Sequence, residues 1–326
     1  MPNLVMRFDM RNPQPGTPRE ELYRAAIEMA VWADERGFHT IQFSEHHGSD
    51  DGYLPSSVVL ASAIATRTKN VRLRFGLIVL PLYDPIKLAE DLAVLDVISG
   101  GRVTAIFGAG YAAHEFEMFG VDRGKRVQLL EESIAAIKQA WTGEPFTYRG
   151  RRVRVTPTPL QKPRPAIWLG GSAEPAARRA ARIADHFYSG EPSLYEFYAD
   201  EARKLGQNPG PFPDIGTGFF VVTDDPDREW ERMSPYIEHE VGSYARWIGA
   251  AADAVEAFPQ IDMAALRASG AYPILRHEEG LAYVNGRGLN GDLSLHPLIS
   301  GQPPEHGWEQ LRRFEADILP YMERSR

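Results

Sequence analysis

Leu4-Val5-Met6-Arg7-Phe8-Asp9, running directly into Met10-Arg11-Asn12-Pro13, is the stretch on which the choice of fold rests. Its first six residues read as a buried β-strand. A doubly wound nucleotide-binding sheet would place Gly-x-Gly-x-x-Gly straight after its first strand, because glycines let the backbone close on a pyrophosphate. Here the strand meets arginine, asparagine and proline, with no glycine cluster. An alternating α/β chain that lacks this signature is better read as a barrel, if enough strand–helix units follow.

They do. Arg19 to Arg36 carries Leu22, Ala26, Met29, Ala30 and Ala33 at helical spacing and stops at Gly37. Thr40 to Phe43 and Val71 to Leu80 read as strands, each followed by a helix (Pro55 to Thr68, Pro85 to Ile98). Arg102 to Phe107 is a fourth strand and Arg123 to Trp141 a long amphipathic helix. The rhythm breaks at Phe146 to Pro159, an expected excursion hairpin, within an insertion spanning about 143–165. It resumes with strands at Ala166 to Leu169, Asp185 to Ser189 and Gly216 to Thr223, and helices at Glu174 to Ala184, Leu194 to Leu205 and Asp227 to about Ile248. Gly249 to Gly270 reads as helical and Gly280 to Leu293 as a glycine-rich loop, inside an irregular region of about 249–295. A last helix runs from Pro304 to Met322 with Trp308, Leu311, Phe314 and Leu319 on one face. The expectation is one (β/α)8 TIM-barrel domain over residues 1–326 with insertion segments.

Composition narrows the function classes. The apolar share, 43% of 326 residues, suffices for a large core, and the net charge of −8 opposes binding to nucleic acid or anionic membranes. There are no cysteines, which excludes disulfides, thiolate metal sites and cysteine nucleophiles. No run approaches the roughly 18 apolar residues of a membrane span, and no signal peptide is apparent, so the cytoplasm is the expected compartment.

In a barrel the working residues lie just past the C-terminal ends of the strands. After strand two comes Glu45-His46-His47, where two imidazoles beside a carboxylate can position a proton donor. Neighbouring residues in extended chain point to opposite faces, so the two histidines are poorly placed to share a metal, and no metal is expected. The plain alternative is a polar pair anchoring a loop. Strand five runs into Gly170-Gly171-Ser172 before a helix, which suits a phosphate but equally an ordinary tight turn with a serine cap. Gly108-Ala109-Gly110-Tyr111 gives similar backbone access after strand four. His114, His186, His239 and His277 read as surface or loop histidines, and Arg126 as the ion-pair partner of Glu131 or Glu132.

Several motifs in order resemble the bacterial luciferase-like family: Ala33-Asp34-Glu35-Arg36-Gly37-Phe38 through Glu45-His46-His47, Leu88-Ala89-Glu90-Asp91 through Gly100-Gly101-Arg102, Gly108 to Tyr111 with Glu115-Phe116, and Leu295-His296-Pro297 through Pro304. The resemblance implies a flavin at the barrel mouth, FMN in its reduced form or the deazaflavin coenzyme used by some branches. It implies that His46 is catalytic, with Glu45 and His47 beside it. A non-prolyl cis peptide at Gly76–Leu77 would shape the ring platform, and Gly108, Ala109, Gly110 and Tyr111 would contact the flavin. Gly170, Gly171 and Ser172 would lie on the phosphate side. Luciferase carries a phosphate-binding arginine where this chain has Ala109, and many relatives have Thr-Pro-Glu-Glu where it has Arg276-His277-Glu278-Glu279.

The expected activity is that of a monooxygenase using reduced FMN and oxygen on a small organic molecule, its flavin supplied by a separate reductase, in a homo-oligomer. The alternatives are a deazaflavin-dependent hydride-transfer enzyme and a non-catalytic flavin-binding barrel. A metal-dependent hydrolase is disfavoured because Leu4 to Asp9 lacks a His-x-His pair.

Overall fold

The structure, a computed structural model, describes residues 2–13, 16–251, 260–286 and 291–322. Part of the expected helix from Gly249 to Gly270 and part of the expected loop from Gly280 to Leu293 therefore lie outside the described residues. The chain forms two compact units, one built from residues 1–42, 49–54 and 213–326, the other from 43–48 and 55–212.

In the first unit the strand Asn3–Phe8 lies parallel to Asp292–Leu295, in a register that sets Asn3 opposite Asp292 and Met6 opposite Leu295. Val5, Met6 and Phe8 are fully buried, as strands covered on both faces require. The helix Arg19–Glu35 buries all five of its predicted apolar positions and ends ahead of Gly37, whose φ of 77° favours glycine. A 26-residue helix, Pro226–Ala251, supplies Trp230, Met233 and Ile237 to a core shared with Phe219, Val221, Ile274 and Ile299.

Two expectations are corrected here. The predicted strand Gly216 to Thr223 contracts to Val221–Val222, paired parallel with Ile274–Leu275; the glycines at 216 and 218 both take positive φ, which interrupts an extended run. Of the predicted loop Gly280 to Leu293, residues 280–286 belong instead to a helix, His277–Gly286, and residues 292–293 to the strand Asp292–Leu295. Glycine content masked the helix, although a start signal was present: Glu279 accepts the Arg276 N–H at 3.0 Å, the reciprocal half of a capping box, and this opens the helix without proline.

In the second unit four strands lie side by side in chain order and parallel: Arg72–Val79, Val103–Gly108, Ile167–Gly170 and His186–Tyr188. All six residues of Val103–Gly108 are buried, the pattern of an inner parallel strand. Helices separate the strands, among them Pro85–Ser99, whose N-cap Asp84 accepts from the Ile86 and Lys87 amides, and Arg126–Ala140. Buried Arg102 ties the strand entry to the preceding turns, donating to Ser99 O, Thr68 Oγ1, Val71 O and Ala65 O. The expected excursion hairpin is present as Phe146–Tyr148 against Arg151–Val153, antiparallel. Arg126 donates to Arg123 O, while Glu131 pairs with Arg179 and Glu132 with Arg149, so the expected Arg126 ion pair is replaced.

Candidate active site

Every site residue expected from the sequence falls in the second unit. Glu45, His46 and His47 follow the strand Thr40–Phe43 and are all buried. Buried Glu115, in the helix Ala113–Met118, sits at the centre of the arrangement. One of its oxygens, Oε1, stands 2.8 Å from His46 Nδ1 and also accepts the His47 backbone N–H at 2.8 Å. Its other oxygen, Oε2, has no hydrogen-bond partner. Burial alone would lift the Glu115 carboxyl. The hydrogen bond from His46, the charge of that ring and the His47 N–H outweigh burial and hold it below the ordinary carboxylate value.

The sequence placed Glu45 as the carboxylate beside the two histidines, but in the structure it is Glu115 that meets His46. Glu45 accepts from Ser57 Oγ at 2.6 Å and from the Val79 amide at 3.4 Å, and its Oε1 stands 3.5 Å from His47 Nε2. It therefore serves His47, while Glu115 serves His46. The two rings point apart, as neighbouring residues of an extended chain should. His47 packs edge-on against Phe119 and Tyr83, at 4.9 and 6.1 Å between centroids. Burial, with the Glu45 carboxylate beside it, pushes the Tyr83 phenol far above its ordinary value and keeps it protonated. His114, expected at the surface, is half-buried with Nε2 3.0 Å from His47 O.

Glu115 was visible in the sequence only as part of the Glu-Phe pair of the resemblance. The missed signal is physical: a glutamate three residues into a short helix and next to buried Phe116 faces inward, and a buried carboxylate needs a cationic or N–H partner.

With Nδ1 turned to a carboxylate, His46 has its other nitrogen, Nε2, for work. Tyr111 OH stands 3.4 Å from it, and the two rings meet edge to face at 5.7 Å. A carboxylate that fixes one imidazole nitrogen so the other can take or give a proton is the arrangement general acid–base catalysis needs.

The glycines make room for neighbouring side chains. The Gly76–Leu77 peptide is cis. A β-carbon on Gly108 would meet Leu77 Cδ1 at 2.5 Å, and one on Gly170 would meet Leu77 Cδ2 at 2.6 Å. These two glycines thus make room for the Leu77 side chain, which three neighbouring strands hold in place. Gly110, with φ of 75°, gives way in the same sense to Val79 and Phe116, and Gly171 to Ala176. Ala109 and Gly110 are half-buried and Ser172 is exposed. The helix Glu174–Ile183 begins at N-cap Ala173, so Ser172 is not its cap.

A half-buried leucine laid across two glycines is an apolar platform of the kind an aromatic ring system rests on. After the same strand as Gly170, Ser172 stands ahead of a ten-residue helix whose first amides lack intrahelical acceptors. The donor set therefore fits a phosphorylated flavin.

The parallel strand–helix alternation and this carboxylate-fixed histidine define an α/β scaffold with a candidate acid–base site, and the comparisons give the family. Residues 5–312 match the luciferase-like monooxygenase family, and the chain belongs to it. It is 35% identical over 158 residues to the oxygenase component of a flavin-dependent trigonelline monooxygenase from Acinetobacter baylyi, covering 46% of this chain and 44% of that protein. It is 33% identical over 182 residues to an F420-dependent glucose-6-phosphate dehydrogenase from Nakamurella multipartita, covering 52% and 53%. The chain thus spans about half the length of these curated relatives. Among solved structures, the monooxygenase RslO1 from Streptomyces bottropensis superposes with a TM-score of 0.82 at 22% identity, over 98% of this chain and 100% of that one. At that identity the likeness is one of fold.

Proposed function

We propose that the chain is a flavin-dependent monooxygenase on a single luciferase-like (β/α)8 barrel, taking reduced FMN from a separate reductase and oxygenating a small organic molecule. The observation that carries the reading is the Glu115–His46 pair, a buried carboxylate 2.8 Å from one imidazole nitrogen. When bound, the flavin supplies the redox chemistry. The protein supplies position and proton handling. Leu77, seated over Gly108 and Gly170, supports the ring, and Ser172 with the amides after it holds the phosphate. Glu115 orients His46, whose Nε2 exchanges a proton with the reacting group beside Tyr111 OH. Glu45 and Ser57 keep His47 in place.

Titration of the purified protein with FMN, reduced FMN and the deazaflavin coenzyme tests this directly. Tight binding of reduced FMN, with oxygen consumed during turnover, supports the reading. Binding of the deazaflavin coenzyme alone, with no oxygen uptake, transfers the chain to the hydride-transfer branch; the likeness to the F420-dependent dehydrogenase and Ala109 in place of a phosphate-binding arginine favour that second reading. Failure to turn over any reduced coenzyme would leave a binding protein. The expected setting is the cytoplasm, as a homo-oligomer; among the described residues no helix is long and apolar enough to cross a membrane.

A further inference from the structure

The first unit holds a second group of ionisable side chains, which the flavin chemistry does not use. Asp9 stands just past the strand Asn3–Phe8, His296 just past its parallel partner Asp292–Leu295, and Glu240 on the helix Pro226–Ala251. The His296 and Asp9 side chains are wholly buried and that of Glu240 is 2% exposed. His296 Nε2 lies 3.5 Å from Asp9 Oδ1 and Nδ1 lies 4.0 Å from Glu240 Oε1. Neither ring nitrogen has a hydrogen-bond partner, nor does Asp9 Oδ2. Buried polar atoms are rarely left so, and an unplaced ion or proton is the usual reason.

Two cations could occupy such a set. One nitrogen and two carboxylates all come within 4.8 Å of one another, which is enough to raise a divalent metal. Its charge does not fit. Arg7 Nη2 already stands 2.7 Å from Glu240 Oε1, and Arg11 Nε lies 4.0 Å from Asp9 Oδ2 and 3.8 Å from Asp51 Oδ2. With the His239 ring that faces Asp51 neutral, three carboxylates (Asp9, Asp51, Glu240) against two guanidiniums leave one negative charge, which one proton cancels and a divalent ion overshoots. The direction of the ring agrees. Its two nitrogens look at two different carboxylates, so a neutral imidazole in either tautomer would set one lone pair against a carboxylate oxygen. Only the imidazolium offers an N–H to both.

We propose that His296 is a buried imidazolium bridging Asp9 and Glu240, a proton-loaded clamp that ties the ends of two parallel strands to the helix Pro226–Ala251. The surroundings hold the carboxylates for it. The Arg11 amide donates to Asp9 Oδ1 at 3.1 Å, Tyr272 OH donates to Glu240 Oε2 at 2.8 Å, and the Arg11 guanidinium lies 4.4 Å from the ring centres of both Tyr53 and Tyr244. His239 Nε2 stands 2.7 Å from Asp51 Oδ2, and its side chain is partly exposed.

Nitrogen-15 NMR of the histidine-labelled full chain reads the charge state directly. The expected result is an imidazolium pattern at neutrality for the ring whose signals vanish in His296→Gln. Should His296→Gln not fold, Tyr272→Phe, which removes only a hydroxyl, identifies the ring by the shift it causes. A neutral-tautomer pattern at neutrality overturns the proposal. So does stoichiometric metal in the purified protein.

Discussion

At the scale of single residues, His46 and Glu115 form a unit whose parts should fail differently. In the proposed mechanism the imidazole moves the proton, so His46→Ala is expected to lower kcat by about 10²–10⁴, the usual worth of a positioned acid or base. Glu115→Gln keeps the shape of the side chain and can still accept from the His47 amide, but it withdraws the negative charge that fixes His46 Nδ1. Its signature is a loss in kcat with an altered pH profile and an unchanged Kd for the flavin. Stopped-flow turnover across pH, beside flavin titration, separates the two variants. If Glu115→Gln weakens flavin binding and leaves the pH profile as it was, Glu115 holds the cofactor or the fold and does not position the histidine.

At the scale of elements, the junction of three strands at Leu77 is the most constrained feature near the site. Gly170→Ala would place a methyl group 2.6 Å from Leu77 Cδ2, and the leucine end must shift. Overpacking of this kind costs about 1–3 kcal/mol. In a Leu77→Ala background the same substitution should cost almost nothing, because the obstructing atoms are gone; a double-mutant cycle measured by urea unfolding gives the coupling. Additive effects would mean that the glycine is there for its backbone and not for the leucine. This junction also marks what the sequence could and could not reveal. Strand-end rules brought Glu45, His46, Gly108 and Gly170 to notice, since period and punctuation are local properties. They could not show that Gly108 and Gly170 answer to one leucine from a third strand, or that His46 is served by a glutamate 69 positions away, because both are matters of long-range pairing. The glycine-rich tract before the last strand failed for the opposite reason, local composition outweighing a capping signal that Glu279 carried.

At the scale of the whole molecule, a net charge of −8 coexists with deeply buried carboxylates in both units, and their titration should set the acid limit of stability. Burial would raise Asp9, but His296, Arg11 and Arg7 outweigh it and carry the carboxyl far below its ordinary value of 3.8; Glu240 is lowered by Arg7, His296 and Arg11 against the same burial. Glu115 is lowered as well, chiefly by His46 against burial. A carboxylate lowered on folding stabilises the folded state above its unfolded value, and the benefit is lost as pH falls through the folded one. Thermal unfolding of the wild-type protein should therefore show no loss from these groups between neutrality and about pH 5, and a progressive loss below it. Asp9→Asn removes one charge from a buried, paired set, which at neutrality is expected to cost about 3–5 kcal/mol. The variant has no Asp9 carboxylate left to protonate, so its stability should fall less steeply in acid and its curve should converge on that of the wild type. Curves that stay parallel down to the acid limit would mean that Asp9 is not held ionised in the folded protein, and that the charge balance drawn around Arg7, Arg11 and His296 is wrong.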